Sequence, residues 1–125
     1  MVYHRRDSDP LDFLPLTPVA FEILLSLAEG DQHGYSIMRA VEQRTGGAIE
    51  VHAGTLYRAI NRLLSQGLVV EIDERPAPEF DDERRRYYHV TPLGLDVLSA
   101  EARRLESQVL AARARRLLPS RRGEG

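Results

Sequence analysis

The 125-residue chain contains no cysteine, no lysine and no tryptophan. Without cysteine, disulfides and thiolate metal sites are excluded. Without lysine, every cation is an arginine, a planar fork of donors suited to phosphates, carboxylates and the guanine edge. Without tryptophan, no ligand can be sandwiched between indole rings. No apolar run approaches the roughly 20 residues that a membrane-spanning helix needs. The opening MVYHRRDSDP lacks the apolar centre of a signal peptide. A cytoplasmic protein with no membrane partner is expected, with length for one domain and a modest core.

Catalytic signatures are missing too. There is no nucleophile–base–acid set and no glycine-rich phosphate loop, so neither an enzyme nor a cofactor is expected. No two of His4, His33, His52 and His89 stand at the i, i+4 spacing of a zinc-binding helix, and Glu50 with His52 makes only one weak pair. No metal site is expected. His33 reads as a cap or flank of a helix, and His89 as the outer side of a strand.

What is present is a local charge pattern beneath a net charge of −2. Asp7, Asp9, Asp12, Glu22, Glu29 and Asp31 make residues 1–32 acidic despite Arg5 and Arg6. Residues 33–70 are basic, with Arg39, Arg44, Arg58 and Arg62 against Glu42 and Glu50. A nucleic-acid binder needs a basic face rather than a basic total.

The elements follow from caps and periodicity. Residues 1–15 read as an arm, disordered at its start, with Leu11, Phe13 and Leu14, and Leu16 just after it, available for packing. Thr17-Pro18 starts a helix. Its polar residues Glu22, Ser26 and Glu29 share one narrow stripe, so it sits centrally in the core. A second helix runs from about Gly34 to Thr45 and stops at Gly46-Gly47. The piece AIEV at 48–51 reads as a short strand, and a third helix spans about 53–66, ending at Gly67. LVVEIDER alternates, with Leu68, Val70 and Ile72 on one face. PAPEFDDE is a loop, and RRRYYHV returns as an antiparallel strand that puts Tyr87 and Tyr88 on opposite faces. Thr91-Pro92 starts a last helix reaching about Leu118. The fold class is mainly α with a little β: a winged helix-turn-helix, with a two-stranded β wing and a long C-terminal helix.

The third helix, in HAGTLYRAINRLLSQGL, carries the functional signal. At about 100° per residue, Leu56, Ile60 and Leu63 cluster on one side. Thr55, Arg58, Arg62 and Ser65 cluster on the other, with Tyr57 and Asn61 on a flank. A recognition helix packs one side on the core and lays the other in the major groove. Arginine suits guanine, asparagine suits adenine, and threonine suits phosphate or a thymine methyl. Thr55, Tyr57, Arg58, Asn61 and Arg62 are therefore expected to bind DNA. Arg84, Arg85 and Arg86 at the base of the wing are expected on phosphate. Tyr35 reads as a core tyrosine. In the last helix Leu95, Leu98, Ala102, Leu105, Val109 and Ala112 repeat by threes and fours, a heptad seam expected to pair two copies.

The segments HGYSIMRAVEQRTGG, GTLYRAINRLLSQGLV and RRRYYHVTPLG, within a match from about Leu16 to Leu105, resemble the PadR-like winged-helix transcriptional regulators. The resemblance implies a homodimeric repressor on a near-palindromic double-stranded operator. It implies a dimer contact through the C-terminal helix, of the shorter type. It also implies release of DNA by a small effector, often aromatic or cationic, bound near the dimer interface; with no tryptophan in this chain, a small apolar or aromatic effector is expected, in a pocket of aliphatic residues from the first and last helices with Phe13 or Phe21. Thr55, Leu56 and Tyr57 match the start of the family's recognition helix, Tyr35 the opening of its second helix, and Arg85 to Tyr88 its wing strand. Three places depart from the pattern. His52-Ala53 stands where Ser-Pro is common, leaving a histidine nitrogen as the cap acceptor. Arg58 stands where proline is common, adding a DNA contact. Glu79, Asp81, Asp82 and Glu83 at the wing tip oppose phosphate. The expected domains are an arm (1–15), the winged helix-turn-helix (16–90), a dimerisation helix (91–118) and a disordered tail (119–125). The rival reading is a winged-helix protein-interaction module that binds no DNA, favoured by the acidic wing tip and opposed by the basic helix.

Overall fold

The Thr17 hydroxyl accepts a hydrogen bond from the Ala20 amide at 3.1 Å, with proline next in the chain, where a missing N–H is harmless. This starts α1, Pro18–Leu27, after a single 3₁₀ turn at Pro10–Phe13. The computed structural model describes residues 8–72 and 86–119. After α1 come β1 (Gln32–His33), α2 (Gly34–Thr45), α3 (Ala53–Ser65), β2 (Val69–Ile72), β3 (Tyr87–Val90) and α4 (Pro92–Ala114). α1 touches α2, α3, α4 and β3, as its nearly unbroken apolar surface requires. Its Ile23, Leu24 and Leu27 meet Ile37 and Val41 of α2, Leu56, Ile60 and Leu63 of α3, and Val97 and Leu98 of α4 in one core.

The sheet has three strands rather than two. β3 is central, antiparallel to β1 on one side and β2 on the other. Gln32 and His33 pair with Tyr88 and Tyr87, so the wing's return strand is sewn to the chain just before α2. Tyr88 is the buried one of the tyrosine pair and Tyr87 is half-buried. The AIEV piece, in contrast, is not a strand. Gly46 and Gly47 turn the chain with φ of 62° and 85°. The Ala48 and Ile49 amides then bond back to Thr45, which leaves no ladder to form. The expected alternation of the next strand is also shifted. Leu68 and Val69 are both buried while Val70 is 42% exposed. Leu68 still belongs to the turn that ends α3, since its amide bonds to the Leu63 carbonyl, so the pleat begins only at Val69.

Thr91 locks α4 to that same turn. Its hydroxyl accepts from the Gly94 amide at 3.0 Å and donates to the Gly67 carbonyl at 2.8 Å. Thr91→Ala removes both bonds and is expected to lower stability by about 1–2 kcal/mol, read as a lower urea midpoint, with Thr91→Ser restoring most of it. Gly94 lies against the Leu68 carbonyl oxygen and the Val90 side chain, with no room for a Cβ. At its other end α4 stops at Ala114, short of the expected Leu118. Arg116 adopts a left-handed φ of 62°, and the Arg116 and Leu117 amides bond back to Arg113 and Ala112. That pattern closes a helix, and Pro119 follows.

The inward face of α4 includes a carboxylate. Glu101 is 1% exposed. It accepts hydrogen bonds from the Leu16 amide at 3.1 Å and from the Arg104 guanidinium at 2.6 and 2.9 Å. Arg104, aided by the Leu16 amide and working against burial, holds Glu101 below the usual carboxylate range. A carboxyl lowered in the folded state adds stability above its unfolded pKa and loses it as pH falls through the lowered value. Melting temperature is therefore expected to be steady above about pH 5 and to fall below it. Glu101→Gln should start lower and flatten that acid limb in a series of thermal melts.

Candidate nucleic-acid interface

α3 buries Leu56, Ile60 and Leu63 completely, so its opposite side must face outward. Arg58, Asn61 and Arg62 are exposed there and Thr55 is half-buried. The structure thus brings the four expected groove residues onto one surface, with the Arg58 guanidinium 3.4 Å from the Thr55 hydroxyl. Among the described residues neither Arg58 nor Arg62 pairs with a carboxylate, whereas Arg44, Arg86 and Arg104 do. Arg44 is turned away from any ligand face. It grips the Glu22 carboxylate of α1 at 2.6 Å and reaches the Ser26 hydroxyl at 3.2 Å. The basic stretch therefore presents Arg39, Arg58 and Arg62.

Tyr35 is not a core residue. It is 57% exposed, with the Arg39 guanidinium 5.8 Å from its ring centre. At the start of α2 its side chain projects outward because Ile37 and Val41 take the inward positions. An exposed tyrosine and arginine on the helix before α3 have the chemistry that suits a phosphate backbone. The clue in the sequence is the spacing of Tyr35 and Arg39, one helical turn apart.

Tyr57 sits elsewhere than its neighbours. Its hydroxyl lies where a Cβ on Gly34 would be, so it wedges α3 against the start of α2 and is only 39% exposed. Burial, with the nearby Tyr57 as a second cause, pushes the Tyr88 phenol upward. His52 does not cap α3. No side-chain bond is made, and only its carbonyl accepts, from Leu56 at 2.9 Å. His33 does cap α2, accepting from the Ser36 amide, its ring held edge-on to Tyr87. The exposed His52 ring has no such neighbour among the described residues. The first amides of α3 are left open to water or to an anion.

On the wing, Arg86 is exposed and lies 3.4 Å from Glu71. Arg84, Arg85, Glu79, Asp81, Asp82 and Glu83 lie outside the described residues, as do the start of the arm and the last residues of the tail. His89 is on the outer side of its strand and bonds Asp31 at 2.7 Å. Along α4, Leu98 packs in the chain's own core, Leu105 and Ala112 are half-buried, Ala102 is exposed, and Leu95 and Val109 are 44% and 42% exposed. Leu110 and Leu117, outside the seam, are also exposed. Among the described residues no group of three metal-ligating side chains comes together, and no helix is long and apolar enough to cross a membrane. An open groove beside α3, about 740 Å³, lies between the arm, α1 and α3 and is lined by Phe13 but by no residue of α4.

The fold and the outward cationic helix define a winged-helix regulator of transcription. The description "Transcriptional regulator PadR-like family" matches residues 23–100, and the chain belongs to that family, whose members are regulators rather than enzymes. A transcriptional regulator from Clostridium thermocellum is similar in fold, with a TM-score of 0.65 and 23% identity over 91% of this chain and 97% of that one. Bacillus subtilis PadR in complex with operator DNA is similar with a TM-score of 0.58 and 19% identity over 69% of this chain and 47% of that one. A curated relative, an uncharacterized 37.1 kDa protein in transposon TN4556 of Streptomyces fradiae, is 36% identical over 80 residues. That match covers 64% of this chain but only 21% of the relative's length.

Proposed function

We propose that the chain is a cytoplasmic homodimeric repressor that lays α3 in the major groove of a near-palindromic operator. The observation that carries this reading is the pair of guanidiniums, Arg58 and Arg62, that meet no carboxylate among the described residues and lie beside Asn61 on the outward face of a helix whose inner face is buried. In this reading Thr55, Arg58, Asn61 and Arg62 read bases, and Tyr35, Arg39 and Arg84–Arg86 hold phosphate. Tyr57 sets the angle between α2 and α3. The exposed Leu95, Val109 and Leu110 of α4 are covered by the second copy, since a monomer would leave them as an apolar stripe. Two half-sites about 34 Å apart then supply the affinity that one short helix lacks. A small effector releases the operator.

The test is binding to DNA fragments from upstream of its own gene, read by fluorescence anisotropy. Affinity is expected to be sequence-selective and to fall about 10³-fold between about 50 and 200 mM salt, because neutralised phosphates release counterions. A native mass spectrum should show two chains. Absence of salt-sensitive binding to any fragment would instead support the protein-interaction reading.

A further inference from the structure

We propose that Arg58 fixes one guanine in each half-site of the operator, and that the Thr55 hydroxyl positions it for that contact. The inference rests on the DNA-binding reading of α3 and deepens it, naming one base and the residue that selects it. Arg58 stands at one of this chain's departures from its family's pattern, so the contact belongs to this chain. The argument starts from where the guanidinium lies. Long side chains on a helix lean toward its N-terminus, and Arg58 does so over the first turn of α3. A Cβ added at Gly54 would stand 3.6 Å from its Nη1. Its Nη2 donates to the Thr55 hydroxyl at 3.4 Å. The charged end of Arg58 is therefore level with residues 54 and 55, and the N-terminal end of a recognition helix is the part that meets base edges.

That position is unfavourable until an acceptor arrives. α3 has no side-chain cap and no acidic residue in its first turn, so the guanidinium lies beside amides that carry the positive end of the helix dipole. Among the described residues no carboxylate pairs with it. A local conflict of this kind is expected at a functional site, where the ligand relieves it. The chemistry then selects the base. Arginine has donors only, arranged in a planar fork. In the major groove guanine alone presents two acceptors side by side, O6 and N7. Adenine shows one acceptor and one donor, thymine one acceptor beside a methyl, and cytosine a donor. The bond to Thr55 uses one N–H of Arg58 and leaves a complete edge of two parallel N–H groups for guanine. It also holds the side chain in place, so less freedom is lost on docking. Arg62 lies one turn further from this end, about 6 Å along the axis. Base pairs are spaced by about 3.4 Å, so the two arginines meet different pairs.

The test selects binders of the full chain from a pool of duplexes with a randomised core. The enriched motif is expected to contain one invariant G·C pair in each half-site that depends on Arg58. Replacing that pair by A·T should weaken binding about tenfold or more, and 7-deazaguanine, which lacks the N7 acceptor, should weaken it several-fold. Selection with Arg58→Gln should lose the guanine at this pair alone and favour adenine, which glutamine matches. Arg62→Ala should leave the preference at this pair in place. Thr55→Val, which keeps the shape of the side chain without its hydroxyl, should reduce the preference at this pair and not at the others, and Thr55→Ser should restore it. Melting temperatures near wild type establish that each variant is folded. A motif that Arg58→Gln leaves unchanged, or a loss spread evenly over all sequences as a phosphate contact would give, overturns the proposal and leaves the DNA-binding reading standing. Enrichment of no sequence at all overturns both. Loss of the pair in Arg58→Gln without any effect of Thr55→Val overturns the positioning role of Thr55 and upholds that of Arg58.

Discussion

Arg58→Ala/Arg62→Ala is expected to weaken binding to the operator by about 10²-fold or more, while the protein melts at nearly its normal temperature. Each bidentate arginine–guanine pair contributes about 1–3 kcal/mol of discrimination, and each protomer offers two such guanidiniums. Both side chains are exposed and neither makes an ion pair among the described residues, so their loss leaves no orphaned partner in the fold. Comparing specific with random DNA separates their roles. If they read bases, selectivity collapses and the salt slope barely changes. If they hold phosphate, both affinities fall together and the slope drops by about one unit for each phosphate released. Arg44→Ala is the informative control. Its guanidinium bridges Glu22 and Ser26 of α1, so it should lower stability and leave DNA affinity unchanged.

The largest expected loss of stability comes from a single added methyl. Gly94→Ala places a Cβ against the Leu68 carbonyl oxygen and Val90. Alanine in a helix is favoured over glycine by about 1 kcal/mol, which argues for a gain. The collision outweighs it, because the obstructing atom is backbone and α4 cannot retreat. The Thr91 amide is bonded to that same Leu68 carbonyl at 3.0 Å and the Thr91 hydroxyl to Gly67. Moving the helix breaks both bonds. A net cost of about 2–3 kcal/mol is expected, a fall in melting temperature of about 10 °C, measured by scanning calorimetry. Gly54→Ala, whose Cβ meets only the Arg58 guanidinium at ordinary contact distance, should show the propensity gain without the penalty. Equal stability of Gly94→Ala and wild type would contradict this account of how α4 docks.

The boundaries of the helices could be read from the sequence because each rests on a short-range device. Thr17 and Thr91 cap within three residues, and Gly46 and Gly67 end their helices by taking positive φ. The two faces of α3 were legible for a similar reason, since one strong period separates leucine and isoleucine from arginine. What stayed hidden depends on partners far along the chain. β1 is two residues long, too short to alternate, and exists because β3 offers it an edge. Tyr35 has the size and polarity of either a core or a surface residue, and only the packing of Ile37 and Val41 decides. In α4 the heptad spacing selects Leu95, Ala102 and Val109, yet the first half of the helix turns Val97, Leu98 and Glu101 inward. A glutamate among apolar neighbours reads as surface until the Leu16 amide is seen beside it. The groove was equally invisible, because one wall is the arm, whose position is set by that contact.

The bond between Leu16 and Glu101 joins residues 85 positions apart, and it gives the chain a temporal order. On a ribosome the arm emerges before α4, so the carboxylate that receives it is made only after the helix-turn-helix and the wing. Closing so long a loop is entropically costly until the intervening core exists. The first described segment of the protein is accordingly among the last to settle. Its amides should be among the earliest to exchange when the folded protein breathes, with α4 and the arm loosening together like the two halves of a clasp.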